Sequence, residues 1–205
     1  LTAVLTGIDA VRVLKDREYR LFTVGEMGIG NTTTSSAVAS VLLRKEPELV
    51  TGCGAGLDSA GLKRKTKAIR RGIDLHQPDP MDGMEVLQKV GGFDLAAMAG
   101  AFLGGAIYHV PVVIDGVIAA AAAAAAGRIA PAATDYMLAA HVSAEPASIW
   151  LLDLIGVTPA IRAGLRLGEG TGALALFPLL DMALSIYRDM DTFAEMEIEE
   201  YKPLV

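Results

Sequence analysis

The chain has 205 residues, 52% hydrophobic and 20% charged, with 22 glycines. That length can bury a real core, and the apolar balance suits an α/β layer whose strands are covered on both faces. A net charge of -6 argues against a nucleic-acid partner, and the longest apolar run, residues 112–126, carries Asp115 and Gly116 and is mostly alanine, so no membrane span is expected.

Leu1 is not an initiator methionine and no basic-then-apolar leader follows it, so the sequence reads as starting inside a longer one. Val4, Ile8, Val11 and Leu14 recur at helical spacing and predict a helix over 2–15. Leu21 to Val24 is a short apolar strand, followed at once by GEMGIGNTTT and then a helix over Ala37 to Arg44, stopped near Pro47. This order puts the glycine loop at the carboxyl end of a parallel strand, where open α/β sheets bind ligands. A second glycine loop, GCGAGLD at 52–58, opens a helix from Leu62 to Leu75 that carries a cluster of lysines and arginines. Cys53, the one cysteine, excludes an internal disulfide, fits a reducing compartment and reads as a small buried group.

QPDPMDG at 77–83 is a turn by composition, and Met84 to Val90 and Phe93 to Ile107 read as helices. Pro111 to Ile114 is a strand ending at Asp115-Gly116, with an alanine-rich helix after it to Ala126. Tyr136 to Ala139 is another short strand, leading into AHVSAE; Pro146 is placed in the first turn of a helix that reaches Leu154. LRLGEGTG at 165–172 precedes an apolar helix over Ala173 to Ile186, and the acidic tail after Asp191 reads as a surface helix. Only three strands are evident. A doubly wound sheet needs more, so others are expected upstream of Leu1 or hidden in short apolar stretches.

GIGNTTT, residues 28–34, lets backbone N–H groups converge beside a helix start, which makes an anion site without a lysine in the loop. The alternative is a helix cap by Asn31 or Thr32 that needed glycine for its turn. Lys65 is the cation best placed to add countercharge, whereas Lys63, Lys67 and Arg71 read as a solvated face. Glu169, between Gly168 and Gly170 ahead of an apolar helix, is a candidate general base, with capping or ion pairing as the alternative. Glu26 is similarly placed in the first loop and could equally orient Asn31 or backbone donors. Asp115 is a site candidate from its place at a strand end. His141, Ser143 and Glu145 lack the spacing of a catalytic triad, and a hydroxyl reaching a phosphate or ribose is the better reading of Ser143. His76 and His109 read as loop residues, and no metal site is expected.

GEMGIGNTTT, KVGGFDLAAMAG, PVVIDG, HVSAEP and LRLGEGTGALALFPLLD, in that order, closely resemble the nicotinate-nucleotide–dimethylbenzimidazole phosphoribosyltransferase family. The resemblance runs over essentially the whole sequence and covers the C-terminal part of the family. It implies an α/β fold, a parallel Rossmann-like sheet flanked by helices in residues 1–188, with 189–205 joining a small helical domain built from the chain ends. It implies transfer of phosphoribose from nicotinate mononucleotide to 5,6-dimethylbenzimidazole or a similar base, giving α-ribazole phosphate and nicotinate, in a cytoplasmic homodimer with no cofactor. Glu169 falls on the family's catalytic glutamate, with Glu26 near the reacting ribose and Asp115 on another family acid. Leu167 and Gly168 would line the base; Gly28, Ile29, Gly30, Asn31 and Thr32 would wrap the phosphate, with Lys65 adding charge and Ser143 a hydroxyl. Much of the family's base pocket lies upstream of Leu1, and Gly83 stands where many relatives have proline. Some relatives use phenols as heterodimers of related subunits, and a noncatalytic nucleotide-binding subunit is a third reading.

Overall fold

The computed structural model describes residues 1–54, 56–197 and 199. One parallel sheet runs in chain order through β1 (Phe22–Val24), β2 (Val112–Ile114), β3 (Met137–His141) and β4 (Pro159–Ile161). Phe22 stands opposite Val112, Val112 opposite Met137, and Ala139 opposite Pro159. The fourth strand is one of those hidden in a short apolar stretch. It opens on a proline, which an edge position tolerates because no ladder donor is needed there.

Alternation along the strands divides the core in two. Val112, Ile114, Met137 and Ala139 face a large cluster with Phe102, Leu42, Leu95 and Leu151. Val113 and Ala140 face the other way, onto Ala173 and Leu176 of α9 (Thr171–Asp189). The larger layer is built from α2 (Thr32–Leu43), α5 (Gly83–Val90), α6 (Phe93–Tyr108) and α8 (Ser148–Leu154) around α7 (Val117–Ile129). Ala119 to Ala126 in α7 are each at most 1% exposed. Alanine lets neighbouring helices approach from every side and loses no side-chain entropy, so a helix without large side chains can sit at the centre of the layer.

The first helix, α1 (Thr2–Asp16), lies against α6 through glycines on both partners. A Cβ at Gly7 would stand 1.9 Å from the Ala97 carbonyl oxygen, and one at Gly100 would stand 2.0 Å from that of Val4. Backbone cannot yield as a flexible side-chain tip does. Gly100→Ala is therefore expected to destabilise the fold by about 1–3 kcal/mol, the overpacking penalty outweighing alanine's better helix propensity. A denaturation midpoint equal to that of the parent protein would refute this packing.

Several boundaries differ from expectation. α2 starts at Thr32, five residues early, because its threonines and serines continue the helix. Arg44 ends it in the left-handed region, and Pro47 opens a further short helix, α3 (Pro47–Val50). α4 (Ser59–His76) begins earlier than expected since Asp58 caps it, accepting from the Gly61 amide at 2.6 Å. His76 therefore ends a helix instead of lying in a loop, while His109 caps α6 and meets the Tyr136 hydroxyl at 2.6 Å. A 3-10 turn, Pro131–Tyr136, delays β3 to Met137, and Pro146 precedes α8 instead of lying in its first turn. Cys53 is exposed, not buried, because the glycine loop that carries it runs over the surface. The expected tail helix is replaced by turns through residue 197; of the segment 189–205, residues 198 and 200–205 lie outside those described. No described helix is long and apolar enough to cross a membrane.

Candidate active site

A cleft of about 120 Å³ opens at the carboxyl ends of the strands. Glu26, Met27 and Gly28 reach it from β1, and Gly116 to Ile118 from β2. His141, Ser143 and Glu145 come from β3, and Arg166 to Gly168 follow β4. All four strands therefore contribute, at the end of a parallel sheet where chain direction alone gathers the loops.

The first loop is organised by its own carboxylate. Glu26 Oε2 accepts from the Gly28 amide and, at 2.9 Å, from the Asn31 side-chain nitrogen. Asn31 occupies the N-cap position of α2, yet its side chain turns to Glu26 and does not cap the helix. The amides of Ile29, Gly30 and Asn31 have no acceptor among the described residues. Three unpaired donors next to a helix N-terminus are what an anion requires. Behind the loop, buried Lys65 donates to the Thr32 hydroxyl and to the Gly52 carbonyl, both at 3.0 Å. Burial pushes its ammonium pKa down, with the nearby Glu145 carboxylate working in the opposite sense.

The second loop is a run of left-handed residues, Gly168, Glu169 and Gly170, with φ of 81°, 58° and 76°. Such a turn is costly for a glutamate, which lacks glycine's freedom. It is held from both sides. The Glu169 amide donates to the Glu26 carbonyl at 2.8 Å, joining the two loops through backbone. From β2, Asp115 accepts from the Gly170 amide at 3.0 Å and the Ala173 amide at 2.9 Å. This caps α9, whose own N-cap residue is a glycine.

Asp115 is 2% exposed, and His141 Nε2 lies 3.7 Å from its Oδ1. Burial alone would push this carboxyl's pKa up; His141 and the two amides outweigh it and hold the group below the usual carboxylate range. Asp115 in turn holds the His141 pKa above its ordinary value, against burial. The signs fix the pH dependence. Asp115 contributes stability that is present above its unfolded pKa of about 3.9 and lost as pH falls through its lower folded value. His141 contributes below about pH 6.5, and that part is lost as pH rises through its folded pKa. Below about pH 4, where the Asp115 contribution is lost, urea midpoints of the parent protein are expected to fall more steeply than those of Asp115→Asn; parallel curves in that range would contradict the pairing.

Of the residues expected at the site, Glu26, Gly28, Thr32, Ser143, Leu167 and Gly168 line the cleft. Ile29, 75% exposed, Gly30 and Asn31 belong to the same loop without lining the cleft, and Lys65 stands behind it. Asp115 lies beneath the second loop with both oxygens occupied, and the Glu169 side chain is exposed beside the lining Gly168. Arg166 also lines the cleft without having been expected there, although a cation two residues before Gly168 is a signal that could have been weighed; it makes no ion pair among the described residues. A larger groove of about 610 Å³ lies away from the strand ends. There Arg70 is already bridged by Glu46 and Glu48 at 2.7 and 2.6 Å. No metal-binding cluster of histidine, cysteine and carboxylates occurs among the described residues.

A phosphoribosyltransferase family model matches residues 1–198. The nicotinate-nucleotide–dimethylbenzimidazole phosphoribosyltransferase of Ruminiclostridium cellulolyticum is 47% identical over 204 residues, covering 100% of this chain and 58% of the relative. That of Clostridium acetobutylicum is 48% identical over 198 residues, 97% of this chain and 56% of the relative. The crystal structure of CobT from Thermus thermophilus superposes with a TM-score of 0.89 at 39% identity, over 97% of this chain and 59% of that one. The chain thus spans under three fifths of the length of these relatives.

Proposed function

Because the chain belongs to the nicotinate-nucleotide–dimethylbenzimidazole phosphoribosyltransferase family, we propose that it carries the transferase centre of a protein that moves phosphoribose from nicotinate mononucleotide to 5,6-dimethylbenzimidazole or a similar base. The products are α-ribazole phosphate and nicotinate. One observation carries this reading: a loop with unpaired amides, suited to a phosphate, is bonded through backbone to Glu169, whose neighbour Gly168 lines the same cleft.

In this reading the phosphate sits on the amides of Ile29, Gly30 and Asn31, with Thr32, Lys65 and Ser143 around it. An azole nitrogen of the acceptor attacks C1′. The bond from C1′ to the nicotinate ring nitrogen breaks, and its electron pair neutralises that cationic nitrogen. Glu169 takes the proton from the other azole nitrogen. Glu26 and Glu145 face the positive character that develops at C1′. Met27 and Leu167, 68% and 72% exposed and lining the cleft, offer apolar surface to a flat aromatic acceptor. The reading includes a cytoplasmic homodimer, for which the exposed apolar residues of α9, among them Met182, Ile186 and Tyr187, provide surface.

The test is to incubate the full-length protein with nicotinate mononucleotide and either 5,6-dimethylbenzimidazole or a phenol. Release of nicotinate with an N-linked product from the benzimidazole is expected. No release with any azole would overturn the proposal, and exclusive use of the phenol would reassign the acceptor.

A further inference from the structure

The Gly168–Glu169–Gly170 turn places a non-glycine residue in a backbone conformation that L-amino acids avoid, at the position proposed for the proton acceptor. Something must over-determine it. Beneath the turn stands Asp115, and behind Asp115 stands His141, 4% exposed and part of the cleft wall. Among the described residues the bond from Gly170 to Asp115 is the only side-chain tether on the turn's own amides, and Ala173, in the first turn of α9, adds a second bond to the same carboxylate.

The imidazole is placed by shape as well as by charge. A Cβ on Gly172 would lie 2.1 and 2.2 Å from His141 Cδ2 and Nε2 and 2.9 Å from Asp115 Oδ1. The first turn of α9 thus rests directly on both side chains. His141 Nδ1 is buried without a hydrogen-bond partner. Nε2 is the ring nitrogen that faces the Asp115 carboxylate, 3.7 Å from Oδ1.

We propose that Asp115 and His141 form a positioning pair for the transferase: His141 orients the Asp115 carboxylate, which pins Gly170 and Ala173 and so fixes where the Glu169 carboxylate stands. Neither residue touches the transferred proton. The inference rests on the function proposed above and gives Asp115, a site candidate from its place at a strand end, the role of supporting the turn.

Steady-state kinetics of the full-length protein test it. His141→Leu is expected to lose roughly 10²-fold in kcat while KM for nicotinate mononucleotide stays within about twofold, since misplacing a reacting group by about 1 Å has that effect without altering ground-state binding. His141→Gln, whose side-chain amide reaches about as far as Nε2, is expected to recover most of the loss, whereas the shorter His141→Asn is not. Amide exchange at Gly170 and Ala173 is expected to lose protection in His141→Leu and in Asp115→Asn. Should His141→Leu fail to fold, the Gln and Asn variants decide. Equal kcat for those two, or a folded His141→Leu with parent-like kcat, or a loss confined to KM, overturns the pair. A parent protein that forms no product from any azole instead overturns the function, a separate result.

Discussion

Glu169→Gln is expected to lower turnover by about 10² to 10⁴-fold, the range associated with losing a general base, while leaving affinity for nicotinate mononucleotide close to that of the parent. The substitution preserves size and backbone position but removes the ability to accept a proton. The amides proposed to hold the phosphate belong to a different loop, so binding has no reason to follow turnover. Glu169→Gly provides a control for folding. At φ of 58° glycine is at ease, so this variant is expected to be at least as stable as the parent and equally impaired in turnover. Parent-like turnover in either variant, measured as nicotinate released, would remove Glu169 from the chemistry.

The second large effect is expected from a residue with no side chain. A Cβ on Gly25 would stand 2.4 Å from the Gly170 nitrogen and 2.7 Å from its Cα. Both sides of that contact are backbone, and the bond from Glu169 to Glu26 lies next to it. Gly25→Ala must therefore push the loop after β1 and the turn around Glu169 apart. We expect a loss of about 1–3 kcal/mol in stability and of roughly 10²-fold in turnover under conditions where the variant remains folded. A variant that keeps both would show that the two loops need not touch.

Much of the fold is legible in local pattern. β1, β2 and β3 appear as short apolar runs, the first two followed closely by glycine, and their carboxyl ends point to where a ligand would bind. β4 does not announce itself, because three residues beginning with proline at a sheet edge have no periodicity to detect. The start of α2 is hidden for another reason. Thr34, Ser35 and Ser36 look like loop residues, but their hydroxyls return to backbone carbonyls, as Ser36 does to Thr32 at 2.7 Å, and so Ser35 and Ser36 are buried at little cost.

At the site, motif order brings Glu26, Gly28, Ser143 and Gly168 to one cleft. Asp115 is legible as a strand-end acid, yet its actual partners are amides 55 and 58 residues further on, which no spacing rule contains. Gly25 and Gly172 are equally silent, since only long-range contact shows that neither can carry a Cβ.

The carboxylate that caps α9 comes from an inner strand, and this makes the last wall of the cleft a checkpoint on assembly. Shifting β2 by one residue would offer Gly116 or Ile114 to the amides of Gly170 and Ala173, leaving two buried donors empty. Chains misassembled in this way would be silent enzymes instead of slow ones, so specific activity in a refolded sample should report the fraction of molecules whose strands found their proper neighbours.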